Sequence, residues 1–215
     1  MLIRGIIWSV IGLCALPLVQ AAAFEQEGGS AQAPAAVQQT CASCHGIDGN
    51  SPSPAFPKLA AQVPQYLKKQ LADFKSGARS NPIMSGMAAG LSSQDMDTLA
   101  AYFGAQAINP DTGQDKALMH EGEKIYRGGI IPSAVPACAA CHGAQGTGTP
   151  PLYPRLADQH AAYLVTQLEN FKDNKRGNDS NAIMRDIAGR MSDQQMQAVA
   201  AYLSGLPQDR EHHAG

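Results

Sequence analysis

Residues 41–46 read CASCHG and residues 138–143 read CAACHG. In each, two cysteines stand three apart, a histidine follows the second, and a glycine follows the histidine. Thiols at i and i+3 share one face of a helix, and the next residue can point at whatever they hold. Three chemistries use such thiols. A redox dithiol needs only C-x-x-C and leaves the histidine unexplained twice over. Two C-x-x-C pairs can supply four thiolates to a tetrahedral zinc site. In a c-type haem clasp, the thiols form thioethers with the vinyl groups and the imidazole binds iron.

The chain matches itself when slid by 97 residues. Cys41, Cys44 and His45 then meet Cys138, Cys141 and His142, and FPKLA at 56–60 meets YPRLA at 153–157. Tyr66, Gln70, Phe74 and Arg79 meet Tyr163, Gln167, Phe171 and Arg176. Three extra residues in the second copy, in the region 177–180, move the offset to 100, where Ile83-Met84 meets Ile183-Met184. Such internal similarity means two homologous domains. The stretch AQAINPDTGQ at 105–114 reads as the linker between them. The duplication weighs against zinc, because each copy carries its own histidine and its own further candidate ligand.

Within each copy the apolar spacing is helical, as at Tyr66, Leu67, Leu71 and Phe74. Ser92 with Asp95, and Ser192 with Gln195, have the spacing of a capping box that opens a last helix. No alternating strand pattern competes, so the expected fold class is all-α. Domains of this size rest uneasily on their own cores, and a large apolar cofactor would complete each one.

The first 23 residues have one charge, Arg4, an apolar run from Ile6 to Val19 broken by Pro17, and three small residues, Ala21 to Ala23. That is the layout of a secretory signal peptide, and the run is short for a membrane span. The expected division is signal 1–23, first domain 24–108 and second domain 109–215; a retained anchor is the alternative. Lipid attachment at Cys14 is disfavoured by the bulky Leu13 before it. Removing this segment takes the net charge from −2 to −3, a balance that points to no nucleic-acid partner. Of five cysteines, the four beyond Cys14 all lie in the two clasps, which leaves a disulfide framework little support.

If a histidine takes one face of an iron, the opposite ligand decides between substrate chemistry and electron transfer. The repeat sorts the methionines. Met87 faces Ile187, Met191 faces Leu91, and Met119 has no counterpart. Met84 with Met184 and Met96 with Met196 remain as pairs. Met96 and Met196 sit at core positions of the capped helices. Met84 and Met184 lie in SNPIMSGMAAGLS and SNAIMRDIAGRMS, where Asn, Pro and Gly argue for a loop draped across a haem face, and they are the expected sixth ligands. His120 and His160 occur in the second half only and read as surface helix positions.

These residues, together with the Tyr-Leu-x-x-Gln-Leu helix and the final Leu-Ala-Ala-Tyr-Phe helix, resemble the di-haem cytochrome c4 family over essentially the whole mature chain. The resemblance implies two tandem cytochrome c-like domains, each wrapped around one covalently attached haem. A pseudo-two-fold axis would relate them, with the propionate edges near the interface. In that family the carbonyl of a proline after the clasp accepts a hydrogen bond from the ligand histidine, which here would be Pro57 for His45 and Pro154 for His142. A plain turn proline is the alternative. Arg79 and Arg176 recur in both copies and are candidates to neutralise the propionates; solvated helix-end charges are the alternative.

The resemblance further implies a periplasmic electron carrier, soluble or loosely bound to the inner membrane. Its donor would be a quinol-cytochrome c reductase or similar protein, its acceptor a terminal cytochrome oxidase. Neither a nucleic acid nor a small-molecule substrate is expected, nor any catalytic residue. The cytochrome subunit of a dehydrogenase, such as flavocytochrome c sulfide dehydrogenase, would share every haem residue and is the alternative function.

Overall fold

The first clasp sits at the end of a short helical run. A π-helical turn, Val37–Cys41, continues into α1 (Ala42–His45), and Gly46, at φ 79°, turns the chain away directly after the histidine. That left-handed conformation suits glycine alone among common residues. The second clasp repeats the arrangement in α6 (Ala139–His142), followed by Gly143 at φ 82°. The computed structural model describes residues 33–111 and 115–206. The expected signal segment lies outside the described residues.

In the first half, α2 (Pro64–Ser76) starts on a proline, whose missing N–H costs nothing in a first turn, and stops at Gly77 with φ 83°. It buries Leu67, Gln70 and Phe74. Its copy α7 (Ala161–Lys172) buries Leu164 and Phe171. Both α4 (Ser93–Gly104) and α9 (Asp193–Ser204) open on complete capping boxes, as the spacing predicts. Among the described residues, extended pairing is limited to isolated bridges at Ile130–Val135 and Thr149–Tyr153.

The two methionine stretches differ from expectation: both are helical. In α3 (Pro82–Ala89) the Asn81 side chain accepts from the backbone N–H groups of Ile83 and Met84, at 3.1 and 2.9 Å. Asn81 and Pro82 are therefore a cap and a first-turn residue, and the signals read as loop formers are start signals. In the second half, Asn181 and Ala182, the counterparts of Asn81 and Pro82, take positive φ in a tight turn before α8 (Ile183–Gly189).

The second half has a further helix, α5 (Lys116–Gly128), capped by Asp115 and packed along α9. The two backbones meet at Gly122, where an added Cβ would stand 2.0 Å from the Ala198 carbonyl oxygen. Around this crossing Ile125, Tyr126, Met196, Val199, Tyr202 and Leu203 form a continuous core. Among the described residues, the corresponding cluster in the first half comprises Val37, Leu67, Leu99, Ala100 and Phe103. Each Val, Leu, Ile, Phe or Met side chain in these clusters contributes roughly 1.5–3 kcal/mol when fully buried.

The halves meet through a reciprocal clamp. The Gln62 side chain donates to the Arg155 carbonyl at 2.9 Å and accepts from the Arg155 N–H at 2.7 Å. Gln159 does the same to Lys58, at 2.8 and 2.9 Å. Under the offset of 97, Lys58 corresponds to Arg155 and Gln62 to Gln159, so a pseudo-two-fold rotation exchanges the two clamps.

Candidate functional site

The histidines show how each clasp is aimed. Nδ1 of His45 lies 2.8 Å from the Pro57 carbonyl oxygen, and Nδ1 of His142 lies 3.0 Å from that of Pro154. A carbonyl only accepts, so Nδ1 carries the hydrogen and Nε2 keeps its lone pair. Both rings are buried, and burial holds both below the usual histidine pKa, against the opposing pull of the proline carbonyl. They are neutral imidazoles with the far nitrogen ready to ligate. Phe56 and Tyr153 meet the two rings edge-on, with centroids 6.2 and 5.9 Å away.

The four clasp cysteines are free and half-buried. Burial raises the Cys41 thiol and pushes Cys138 up to about 11. A dithiol oxidoreductase needs the opposite shift, towards thiolate. Among the described residues no three His, Cys, Asp or Glu side chains converge on one point, so the two cysteine pairs do not build a shared tetrahedral site. Paired thiols on one helical face beside a neutral, oriented imidazole fit a covalently held haem. A tyrosine secures the chain just beyond each clasp. Tyr102 donates to the Ile47 carbonyl at 2.9 Å, and Tyr126 of α5 donates to that of Gly143 at 2.5 Å.

Met84 and Met184 sit half-buried on α3 and α8, whereas Met96 and Met196 are 4% and 0% exposed in the cores of α4 and α9. His120 is exposed, as expected of a surface helix position. His160 is not at the surface. It is buried at the boundary between the halves, because α7 starts where that boundary runs. Helical periodicity reports which side of a helix faces its own core and says nothing about a second domain covering the other side.

Arg79 and Arg176 stand at the same boundary, both buried. The Arg79 guanidinium donates to Gln70 at 2.8 Å, to Gln167 at 2.7 Å and to the Tyr163 hydroxyl at 3.2 Å. Arg176 donates to Gln167 at 2.9 Å, to Gln70 at 3.1 Å and to the Tyr66 hydroxyl at 2.8 Å. Each stacks on a phenylalanine of its own half, Phe74 or Phe171, at 4.6 and 4.5 Å. Burial alone would raise the Tyr66 hydroxyl, but the Arg176 and Arg79 charges outweigh it and hold its pKa below the ordinary phenol range. The extra residues of the second copy join in. Asn178 donates to Asp73 and Gln70 of the first half at 2.5 and 3.0 Å, and its carbonyl accepts from Lys69.

Sequence reasoning named the two arginines and passed over Gln70 and Gln167 as helix-face residues. Their signal was available: an amide at the same position of two otherwise apolar helix faces is a buried polar group that requires a partner.

Comparison with known proteins now bears on this geometry. The sequence model of the family described as Cytochrome c matches residues 30–105 and 119–207. The cytochrome c4 of Pseudomonas aeruginosa is 42% identical over 180 residues, which cover 83% of this chain and 89% of that protein. The chain belongs to the di-haem cytochrome c4 family. A solved cytochrome c4 structure, from Pseudomonas stutzeri in its reduced form, superposes with a TM-score of 0.77 at 41% identity, covering 81% of this chain and 98% of that one. A thiosulfate dehydrogenase electron acceptor of Stutzerimonas stutzeri is 41% identical over 215 residues, covering 95% of this chain and 97% of that protein.

As a cytochrome c4 relative, the chain is a di-haem electron-transfer protein built of two tandem cytochrome c domains with covalently attached haem c. Its partners are redox proteins. No helix among the described residues is long and apolar enough to cross a membrane.

Proposed function

We propose that Cys41 and Cys44 hold one haem c, with His45 and Met84 as axial ligands of its iron. Cys138 and Cys141 hold the other, with His142 and Met184. The observation that carries this reading is the matched hydrogen bond from His45 to Pro57 and from His142 to Pro154, which leaves Nε2 free to ligate in both halves. Haem c bound there supplies one-electron exchange between ferric and ferrous iron.

The chain's own residues do the rest. The proline carbonyls orient the imidazoles and raise their basicity. The Met84 and Met184 thioethers would hold the iron from the side away from the histidines, and such a ligand would raise the reduction potential. Arg79 and Arg176 bring two buried positive charges to the boundary, where their amide and phenol partners are formally neutral. Buried cations need opposing charge, and haem propionates are the groups suited to provide it.

Residues 1–23 direct export, and the two domains, 24–108 and 109–215, work in the periplasm, free or loosely held at the inner membrane. Electrons arrive from a quinol-oxidising complex or a dehydrogenase and leave towards a terminal cytochrome oxidase. The relative named as an electron acceptor of thiosulfate dehydrogenase supports a dehydrogenase among the donors. Pyridine haemochrome quantitation is expected to give two haems per chain. Met84→Ala and Met184→Ala are each expected to remove half of the near-infrared sulfur-to-iron band; full retention of the band in both variants overturns the axial assignment.

A further inference from the structure

His160 is a buried titratable side chain that the haem reading leaves unused. The first half has Val63 at the matching position, so the residue breaks the symmetry of the duplication. Its Nε2 lies 2.9 Å from the carbonyl oxygen of Ser51, in the other half. The carbonyl only accepts, so Nε2 bears the hydrogen. Nδ1 then faces Oδ2 of Asp111 at 3.4 Å. With a neutral ring, that contact sets a lone pair against a carboxylate. One added proton turns it into a charge-assisted hydrogen bond and leaves the Ser51 bond in place.

The Ser51 end of this arrangement leads to the first clasp, because Ser51 Oγ lies 3.0 Å from the Cys44 carbonyl oxygen and 2.9 Å from that of Ser53. Other charges also surround the ring. Asp158 and Arg155, in the loop before α7, pair at 3.1 Å. Lys58 of the first half donates its ammonium to the carbonyls of Asn109 and Asp158, at 2.7 and 2.9 Å. The Asp111 side chain remains 30% exposed against 9% for His160, so the carboxylate that faces Nδ1 is itself in contact with solvent.

We propose that His160 takes up a proton when the haem at Cys41 and Cys44 is reduced and releases it on oxidation, which makes that centre's electron transfer proton-linked. The proposal rests on the attachment reading given above. A redox partner supplies one electron, which converts ferric to ferrous iron. Solvent supplies one proton, which forms the Nδ1–H bond facing Asp111. Oxidation returns the electron to an acceptor protein and the proton to solvent. Reduction removes one positive charge from the centre, so an imidazolium nearby is easier to form. By reciprocity, the proton raises the potential of that haem.

The test uses the holoprotein between pH 5 and 8, the span over which histidines change charge. Both haem potentials are measured, and the His160 imidazole is followed by NMR in the fully oxidised and fully reduced forms. Proton affinity is expected to be up to about tenfold higher in the reduced form, which corresponds to one haem potential falling by up to about 59 mV as pH rises through the titration. His160→Gln keeps an amide donor for Ser51 and flattens that slope for one haem only. Asp111→Asn, a change on the partly exposed linker that leaves the buried ring in place, moves the slope to lower pH. An unchanged slope in both variants, as titrating propionates would give, overturns the proposal, as does an imidazole that titrates identically in both redox states. A haem count below two per chain overturns instead the attachment reading.

Discussion

The two halves agree closely at the clasps and at the paired contacts that join them, and differ in how their helices pack and in a few further contacts at the boundary. The histidine–proline pairs, the glutamine clamps and the arginine–tyrosine contacts all repeat across the duplication. The supporting structure does not. Among the described residues, only the second half has a glycine pressed against the backbone of its last helix, a histidine at the boundary and an asparagine reaching across it, at Gly122, His160 and Asn178. The helices bearing Met84 and Met184 also differ. The segment 82–90 has no charged residue, whereas α8 is flanked by the Arg185–Asp179 and Arg190–Asp186 ion pairs, at 2.8 and 2.6 Å. The two halves therefore carry counterpart helices of different charge, one bare of ionic groups and one tied by two ion pairs.

The largest test of this contrast is Gly122→Ala. A methyl group 2.0 Å from a backbone carbonyl forces α5 off α9, at an expected cost of about 3 kcal/mol or more. Denaturant unfolding followed at each haem would show the second half unfolding first; equal loss in both halves would break the contrast.

Next come the clamps. Gln62→Ala and Gln159→Ala each strip a buried backbone N–H and carbonyl of their partners, and each is expected to cost about 2 kcal/mol. Near-equal losses would sharpen the symmetry of the interface, and a difference above about 1 kcal/mol would break it.

The smallest effect concerns the helix caps. Ser92→Ala and Ser192→Ala should each cost about 1 kcal/mol near neutral pH. Ser92 is paired with Asp95, whose carboxyl is held below its usual pKa by hydrogen bonds from the Ser92 side chain and backbone. A depressed carboxylate stabilises the fold fully above its unfolded value of about 3.9, and the contribution disappears as pH falls through the folded value. The Ser92 penalty should therefore shrink in thermal melts at pH 3 relative to pH 6. That of Ser192, paired with the non-titrating Gln195, should not.

The sequence carried the clasps, the duplication and both capped helices, because each depends on residues close together along the chain or on a repeat that compares the chain with itself. What it hid depends on contacts between the copies. His160 looked like a surface residue because the first half covers it. Arg79 and Arg176 looked like helix-end charges or propionate partners alone, and the structure adds their bonds to the opposite half's Tyr163 and Tyr66. The stretch around Met84 reads as a loop and is a helix. Asn81 and Pro82 interrupt a helix when they fall inside one and begin it when they fall in front, and the pattern alone did not say which.

The glutamine clamps grip main chain, so they are indifferent to the side chain at the residue they hold. Lysine at 58 and arginine at 155 are received in the same way. A join of this kind is made by the backbones, and the Lys58 and Arg155 side chains are left to make bonds of their own, to the Asp158 carbonyl and to the Asp158 carboxylate. The docking of the two domains is thereby written into main-chain geometry, the part of a protein that substitution alters least.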